Sequence, residues 1–173
     1  MELLEGIMTR QSIRVYDTSR PVEDDKLKKI VEAGMNAPTA MEQHAWRILT
    51  IHDHDTMVKL SNHKNWWHML ANCPLTIVVM TDVSDTAGLD EEYQVVSAAA
   101  ATENMLLAAH ELGLGAVWLG ISKADANYKD FCAILNIPDN LRAVSVMAVG
   151  YPKSTPRKPE NRFEDAKWIK EHF

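Results

Sequence analysis

The chain has 173 residues, of which 46% are hydrophobic and 24% are charged, and its formal net charge is −6 at pH 7. These values fit one globular domain over residues 1–173 and leave no room for separate cofactor and substrate domains. The acidic balance argues against nucleic acid as the main partner, because binding to a phosphate backbone needs a clustered basic surface.

Hydrophobic patterns predict a mixture of helices and strands along the chain. Residues 2–8 have the leucine and isoleucine spacing of a short helix. Residues 23–34 form a second predicted helix, with acidic residues in its first turn and Gly34 as its C-terminal cap. The segments with strand composition are residues 46–51, 75–80, 116–119 and 143–149. This mixture predicts an α+β or α/β layered domain.

The longest predicted helix spans residues 90–112, and its apolar residues are not confined to one face. A helix that is apolar nearly all round is buried on nearly all sides. Either the rest of a monomer encloses this helix, or its outer face packs against a second copy, with the small alanines allowing close approach. The pattern favours the dimer and leaves the monomer as the alternative.

Cysteine usage and the N-terminus predict a cytoplasmic protein. The two cysteines, Cys73 and Cys132, form no C-x-x-C pair, so the prediction is two free, mostly buried thiols and no structural zinc. The first residues lack the basic start and long apolar core of a signal peptide. No uncharged apolar run reaches the roughly 20 residues that a membrane helix requires.

Three segments carry groups that suit a ligand. Residues 10–14 place two guanidinium groups four positions apart with a hydroxyl between them, which suits an oxyanion, although a solvated turn is the alternative. Residues 37–46 form a polar loop before a strand, where ligands commonly bind and where plain connectors are also common. Residues 113–120 form a glycine-ended strand that a flat ligand could approach closely. They are not a dinucleotide fingerprint, because Trp118 occupies the third glycine position.

Two further clusters are ambiguous. Residues 52–54 (His-Asp-His) suggest a metal, but close neighbours at a strand end rarely converge on one ion, so we predict a solvated turn and no metal site. Trp66 and Trp67, with His63 and His68 nearby, either line a flat aromatic ligand or pack into the core, and the sequence leaves both open.

Together these segments resemble the nitroreductase family of FMN enzymes, in order and in approximate position, across nearly the whole chain. The family has an R-x-S-x-R type pentad, an A-P-S-x-x-N-x-Q-P-W type loop, a long alanine-rich helix and a G-L-G-x-x-W-x-G type strand. It ends in a G-Y-P sequence, here residues 150–152, followed by a basic cluster, here Arg157 and Lys158.

The resemblance implies an α+β fold with a central, mostly antiparallel sheet of four to five strands flanked by helices, in a homodimer with flavin between the subunits. It implies an FMN-dependent oxidoreductase in which NAD(P)H reduces the flavin and the flavin then reduces nitroaromatics, quinones or similar acceptors by hydride transfer. No catalytic side chain is expected, because the flavin carries the electrons. The alternatives are a flavin storage or sensor protein, or a related flavin enone reductase or dehalogenase.

The resemblance also assigns cofactor-binding residues. The pentad and the late basic cluster hold the FMN phosphate and ribityl chain, and Arg14 lies toward the pyrimidine edge of the ring, which Asn65 also reaches. The loop comes from the other subunit, and the third strand passes its backbone near the ring. The assigned residues are Arg10, Gln11, Ser12, Arg14, Pro38, Thr39, Ala40, Glu42, Asn65, Leu119, Gly120, Arg157 and Lys158.

The loop departs from the family pattern at three positions. Glu42, His44 and Ala45 stand where the family usually has asparagine, glutamine and proline. A carboxylate at position 42 replaces a neutral donor with an anion beside an anionic reduced flavin. This difference bears on the flavin potential.

Overall fold

The fold is built on an antiparallel β-sheet, seen in a computed structural model that describes residues 2–84 and 86–171. The described strands are β1 (Trp46–Ile51), β2 (Leu75–Asp82), β3 (Gly115–Gly120) and β4 (Leu141–Gly150). They lie side by side in the order β1-β2-β4-β3, and every neighbouring pair is antiparallel. The predicted α+β fold with a mostly antiparallel sheet of four to five strands is confirmed, and the described sheet has four.

Helices cover both faces of the sheet. The described α-helices are α1 (Leu3–Thr9), α2 (Asp24–Met35), α3 (His54–Ser61), α4 (Glu91–Glu111) and α5 (Tyr128–Leu135). Alternate residues of β2 enter two separate cores: Ile77 belongs to the core under α2 and α4, and Val78 to the core under α3 and α5. Because both faces are covered, β2 is buried over nearly its whole length, which explains its continuous apolar sequence.

Two helices were not predicted from the sequence. α3 begins at His54, the last residue of the His-Asp-His cluster, and the side chain of Asp53 caps it by accepting a hydrogen bond from the Thr56 amide at 2.8 Å. The aspartate of that cluster is therefore a helix cap. Within residues 2–84 and 86–171, no group of three or more His, Cys, Asp or Glu side chains is arranged to hold a metal ion.

The prediction that Gly34 caps α2 is wrong. The helix continues to Met35, and Asn36 is its C-cap. A Cβ atom at Gly34 would lie 2.7 Å from Cγ of Met105 on α4. The glycine therefore lets α2 and α4 pack closely, a tertiary contact that no local pattern indicates.

Large apolar side chains of α1 and α4 are exposed in the single chain. On α4, Tyr93 is 57% exposed and Val96 is 66% exposed. On α1, Leu3, Leu4 and Met8 are exposed, and the helix contains no buried residue. We call these residues of α1 and α4 the outer apolar face.

None of the described helices has the length and hydropathy needed to cross a bilayer.

Candidate functional site

A cavity of about 870 Å³ brings together two basic segments from opposite ends of the chain. One wall is the segment after α1, and the other is the segment after β4. The charged side chains that line it are the cations Arg10, Arg14, Arg157, Lys158 and Arg162, with the carboxylate of Glu160. Gln11 and Ser12 also line the cavity, so all six residues assigned to the pentad and the basic cluster meet there. The site is strongly cationic in a chain whose net charge is −6.

Backbone contacts with β3 hold the pentad in place. Ser12 forms a parallel bridge with Ala116, and the amide of Ile13 donates to the Ala116 carbonyl at 2.9 Å. A Cβ atom at Gly115 would lie 2.7 Å from Cβ of Ile13. The first glycine of β3 therefore accommodates the pentad segment, not a ligand.

Side-chain contacts join the two walls of the cavity and connect them to α4. Nε of Arg10 lies 3.3 Å from Oε1 of Glu103 on α4. The side-chain amide of Gln11 donates to the carbonyl of Arg157. A guanidinium group has five N–H donors, so Arg10 can contact Glu103 and still offer donors to an anion in the cavity.

Arg162, Ser154 and Thr155 also line the cavity and were not predicted from the sequence. The available signal was the density of hydroxyls and cations between positions 153 and 162, directly after the G-Y-P sequence. Tyr151 of that sequence fixes where this segment leaves β4. Its hydroxyl donates to Glu23 at 2.7 Å and accepts from Lys26 at 2.6 Å, and the Tyr151 hydrogen bond lowers the pKa of Glu23.

The loop before β1 is held in an uncommon conformation. Met41, Glu42 and His44 have φ angles of 52°, 53° and 49°, in the left-handed region that non-glycine residues seldom adopt. Such strain persists only where the surroundings impose it, and it concentrates at functional sites.

Two side chains of α4 support this loop. The Ala40 amide donates to Oγ of Ser97 at 3.2 Å, and Nε2 of Gln94 donates to Oε1 of Gln43 at 3.1 Å. Four residues of this loop were assigned to the cofactor, namely Pro38, Thr39, Ala40 and Glu42. They do not line the cavity of their own chain.

The other end of β3 presents an open backbone surface. Leu119 is buried, whereas Gly120 is exposed and has no heavy atom within 4 Å of the position that a Cβ would occupy. The ammonium group of Lys64 donates to the Gly120 carbonyl at 3.0 Å, and Asn65 follows in the chain as an exposed residue. Sequence reasoning did not find Lys64, because its partner lies 56 positions away.

The two adjacent tryptophans have different environments. Trp67 is fully buried and meets the ring of Phe131 edge-on, with the ring centroids 5.9 Å apart. Trp66 is 61% exposed. The core interpretation is therefore correct for Trp67 and not for Trp66. Cys73 is buried and Cys132 is partly buried, and both are free thiols.

Comparison with known proteins gives consistent matches. Residues 7–67 and 61–151 match the model of the nitroreductase family. A protein of Archaeoglobus fulgidus, named as an NADH dehydrogenase/NAD(P)H nitroreductase, is 38% identical over 152 residues, which are 88% of this chain and 86% of that protein.

Solved structures with the same fold include one from Parabacteroides distasonis with the same type of name. It is 29% identical, with a TM-score of 0.91 over 99% of this chain and 98% of that one. A protein from Desulfovibrio desulfuricans, crystallised in complex with FMN, is 31% identical, with a TM-score of 0.79 over 100% of this chain and 98% of that one.

Proposed function

The chain belongs to the nitroreductase family and is an oxidoreductase, and from this premise we propose that it binds FMN between two subunits and uses NAD(P)H to reduce nitroaromatics, quinones or similar acceptors. The cationic cavity is the observation that carries the proposal. The phosphate of FMN carries a charge of about −1.5 to −2 at neutral pH, by analogy with phosphoryl groups. Charge-assisted hydrogen bonds from arginine match such a group, and the pentad supplies them beside a hydroxyl.

The residues present fit FMN at both of its ends. Arg10, Ser12 and Arg157, with Lys158, would hold the phosphate and the ribityl chain. The exposed backbone at Gly120 offers an open surface to a flat ring. Arg14 would lie toward the pyrimidine edge and Asn65 would reach it.

When bound, FMN supplies the redox chemistry by accepting electrons from the nicotinamide and passing them to the acceptor. The fixed positive charge of Arg14 would stabilise the negative charge that reduction places near the pyrimidine edge. The remaining cavity residues bind and orient. No side chain has to act as nucleophile or general base.

Two observations support a homodimer. The outer apolar face of α1 and α4 is exposed in one chain, although such surfaces are normally covered. The strained loop at residues 38–44 is anchored on α4 but lies outside its own cavity. A second copy packed on the outer apolar face would cover it and bring its loop toward the first copy's flavin.

The visible spectrum of the purified protein tests the proposal. We expect a yellow protein whose absorbance near the flavin maximum bleaches anaerobically with NADH or NADPH and recovers when a quinone is added. Free FMN at the same concentration is the control. A colourless protein with no affinity for added FMN would contradict the proposal, and bleaching without turnover of any acceptor would favour flavin storage.

A further inference from the structure

A charge pair closes the turn that follows β3. Nζ of Lys64 donates to Oδ2 of Asp125 at 2.6 Å and to the Gly120 carbonyl at 3.0 Å. The same Asp125 oxygen accepts the Ser122 amide at 2.9 Å. The hydrogen bond from Lys64 lowers the pKa of Asp125, so Asp125 is a carboxylate at neutral pH.

A second contact fixes the same two segments. Nδ2 of Asn127 donates to the carbonyl of His63 at 2.7 Å. The segment between α3 and β2 is thus tied twice to the turn after β3. The end of β3 is therefore held from one side by side chains and left open on the other, where Gly120 has free space.

The ammonium group of Lys64 is enclosed. Its side chain is only 13% exposed, and Nζ lies 5.7 Å and 5.5 Å from the ring centroids of Trp66 and Trp67. Charges that are shielded from water act over longer distances than solvated ones. A ring resting on the open surface at Gly120 would therefore experience the Lys64–Asp125 pair.

We propose that Lys64 and Asp125 are a matched pair that positions the Gly120 backbone against the flavin ring and balances the local charge, so that neither redox state of the flavin is over-stabilised. The proposal rests on the proposed function, because it requires FMN at the end of β3. Lys64 is a positioning residue in this scheme. It acts through the Gly120 carbonyl and through its charge.

Single substitutions of Lys64 and Asp125 should shift the flavin redox equilibrium in opposite directions, because the two side chains have charges of opposite sign. Lys64→Met leaves the Asp125 carboxylate uncompensated beside the ring, which disfavours the more negative reduced flavin. Asp125→Asn leaves the Lys64 ammonium uncompensated, which favours the reduced flavin. Each substitution also removes the same ion pair, so both lower the thermal stability.

The experiment measures the affinity of the apoprotein for oxidised FMN by fluorescence quenching and the midpoint potential of bound FMN by spectroelectrochemistry. The difference between the midpoint potentials of bound and free FMN gives the ratio of the affinities for reduced and oxidised FMN, and the affinity for oxidised FMN then gives the affinity for reduced FMN. We expect the ratio to fall about tenfold in Lys64→Met, to rise about tenfold in Asp125→Asn and to stay near the wild-type value in the double variant. A tenfold change corresponds to about 30 mV for a two-electron couple.

Two controls separate charge from structure. Lys64→Arg keeps the cation and is expected to retain a ratio near wild type. Lys28→Met removes a cation that pairs with Glu32 on the exposed surface of α2, and it should leave the ratio unchanged. Unfolding temperatures of all variants report the structural loss independently.

Opposite shifts in Lys64→Met and Asp125→Asn follow the sign of the charge that is left, because loss of the shared ion pair alone would move both variants in the same direction. If the affinity ratio shifts in the same direction in both variants, or in neither, the proposed role of the pair is wrong while the proposed function stays intact. If Lys64→Met fails to fold, Asp125→Asn still gives the sign of the charge effect, with Lys64→Arg as the reference that keeps both charges. A wild-type apoprotein that does not bind FMN would overturn the proposed function itself.

Discussion

Nε of Arg10 lies 3.3 Å from Oε1 of Glu103, so the first arginine of the cavity is braced by α4. The same helix supports the strained loop through Ser97, whose Oγ accepts the Ala40 amide. α4 therefore connects the cationic cavity of one chain to the loop that we propose reaches the other chain's flavin. α4 also packs against the sheet and carries part of the outer apolar face, so its apolar residues lie on more than one side of the helix.

Replacing Arg10 tests the cavity. Arg10→Ala removes charge-assisted hydrogen bonds worth about 1.5–3 kcal/mol, so the Kd for FMN, measured by fluorescence quenching, should rise about 10- to 100-fold. Lys28→Ala, which removes a cation outside the cavity, should leave the Kd unchanged. Equal Kd values for the Arg10 variant and wild type would mean that the phosphate binds elsewhere.

Glu103 should matter much less than Arg10. The Arg10–Glu103 pair is partly exposed, and such pairs contribute about 0–1 kcal/mol. Glu103→Gln keeps a hydrogen-bonding group and removes an anion near the phosphate, so we expect the Kd for FMN to change by less than about fivefold. An effect as large as that of Arg10→Ala would show that Glu103 orients the arginine for binding.

Gly115 controls where the pentad lies. In Gly115→Ala the new Cβ would lie 2.7 Å from Cβ and Cγ2 of Ile13. Overpacking of this kind costs about 1–3 kcal/mol, and relief requires the pentad to move, so denaturant unfolding should show lower stability and FMN binding should weaken. Gly120→Ala places its Cβ in open space, and its stability should stay within about 0.5 kcal/mol of wild type. Equal stabilities of the two variants would contradict the close packing at Gly115.

The sequence predicted elements whose pattern is long or dense. β2 carries a run of β-branched residues, and α4 is a long, alanine-rich apolar stretch of 21 residues. The predicted ends of both elements lie within one or two residues of the observed ends. α3 and α5 have eight residues each, and α3 buries only Met57 and Leu60. Two buried residues are too few to define a helical period.

In the candidate site, too, the sequence predicted the residues that belong to local motifs and not those defined by long-range contacts. The pentad and the basic cluster were found because they resemble family motifs, and they meet in one cavity. Gly34 was assigned the wrong role because it packs against Met105, which is far away in the chain. Lys64 was missed because its partner, Gly120, is also far away in the chain. Contacts between distant segments leave no periodic signal in a single sequence.

Stability should fall in mildly acidic solution because of His63. Its ring lies 5.2 Å from that of Trp67 and 5.4 Å from that of Phe131, and burial, followed by the charge of Lys64, lowers its pKa. The unfolded chain binds this proton at about pH 6.5, before the folded chain does. The stabilisation is therefore present above pH 6.5 and is lost as the pH falls through the folded pKa.

Thermal unfolding between pH 7.5 and 5.5 measures this effect. His63→Phe keeps an aromatic ring at the position and cannot titrate, so its unfolding temperature should fall less steeply with pH than that of wild type. Burial, followed by the charge of Arg10, also lowers the pKa of His110, so the slope should decrease without vanishing. Identical slopes for the variant and wild type would contradict the assignment to His63.

Glu42 should lower the flavin potential if the strained loop lies over the ring of the other subunit. Glu42→Asn removes the carboxylate and restores the neutral donor usual in the family. Asparagine also tolerates the φ of 53° at this position better than glutamate does, so stability should not fall. We expect the midpoint potential to rise by about 20 mV, the equivalent of roughly 1 kcal/mol for a two-electron couple. An unchanged potential would place the Glu42 carboxylate away from the flavin.

Val96 tests whether a second copy covers the outer apolar face. It is 66% exposed in the single chain, so Val96→Asp should leave the fold of one chain nearly unchanged. At an interface, however, the carboxylate would be buried without a partner, which costs several kcal/mol. We therefore expect a wild-type dimer and a Val96→Asp monomer in light scattering, with FMN binding weakened at least tenfold because each cavity loses the other chain's loop. Thr18→Asp adds the same charge at an exposed turn and should stay dimeric and yellow. A wild-type protein that is monomeric while fully loaded with FMN would rule out the shared site.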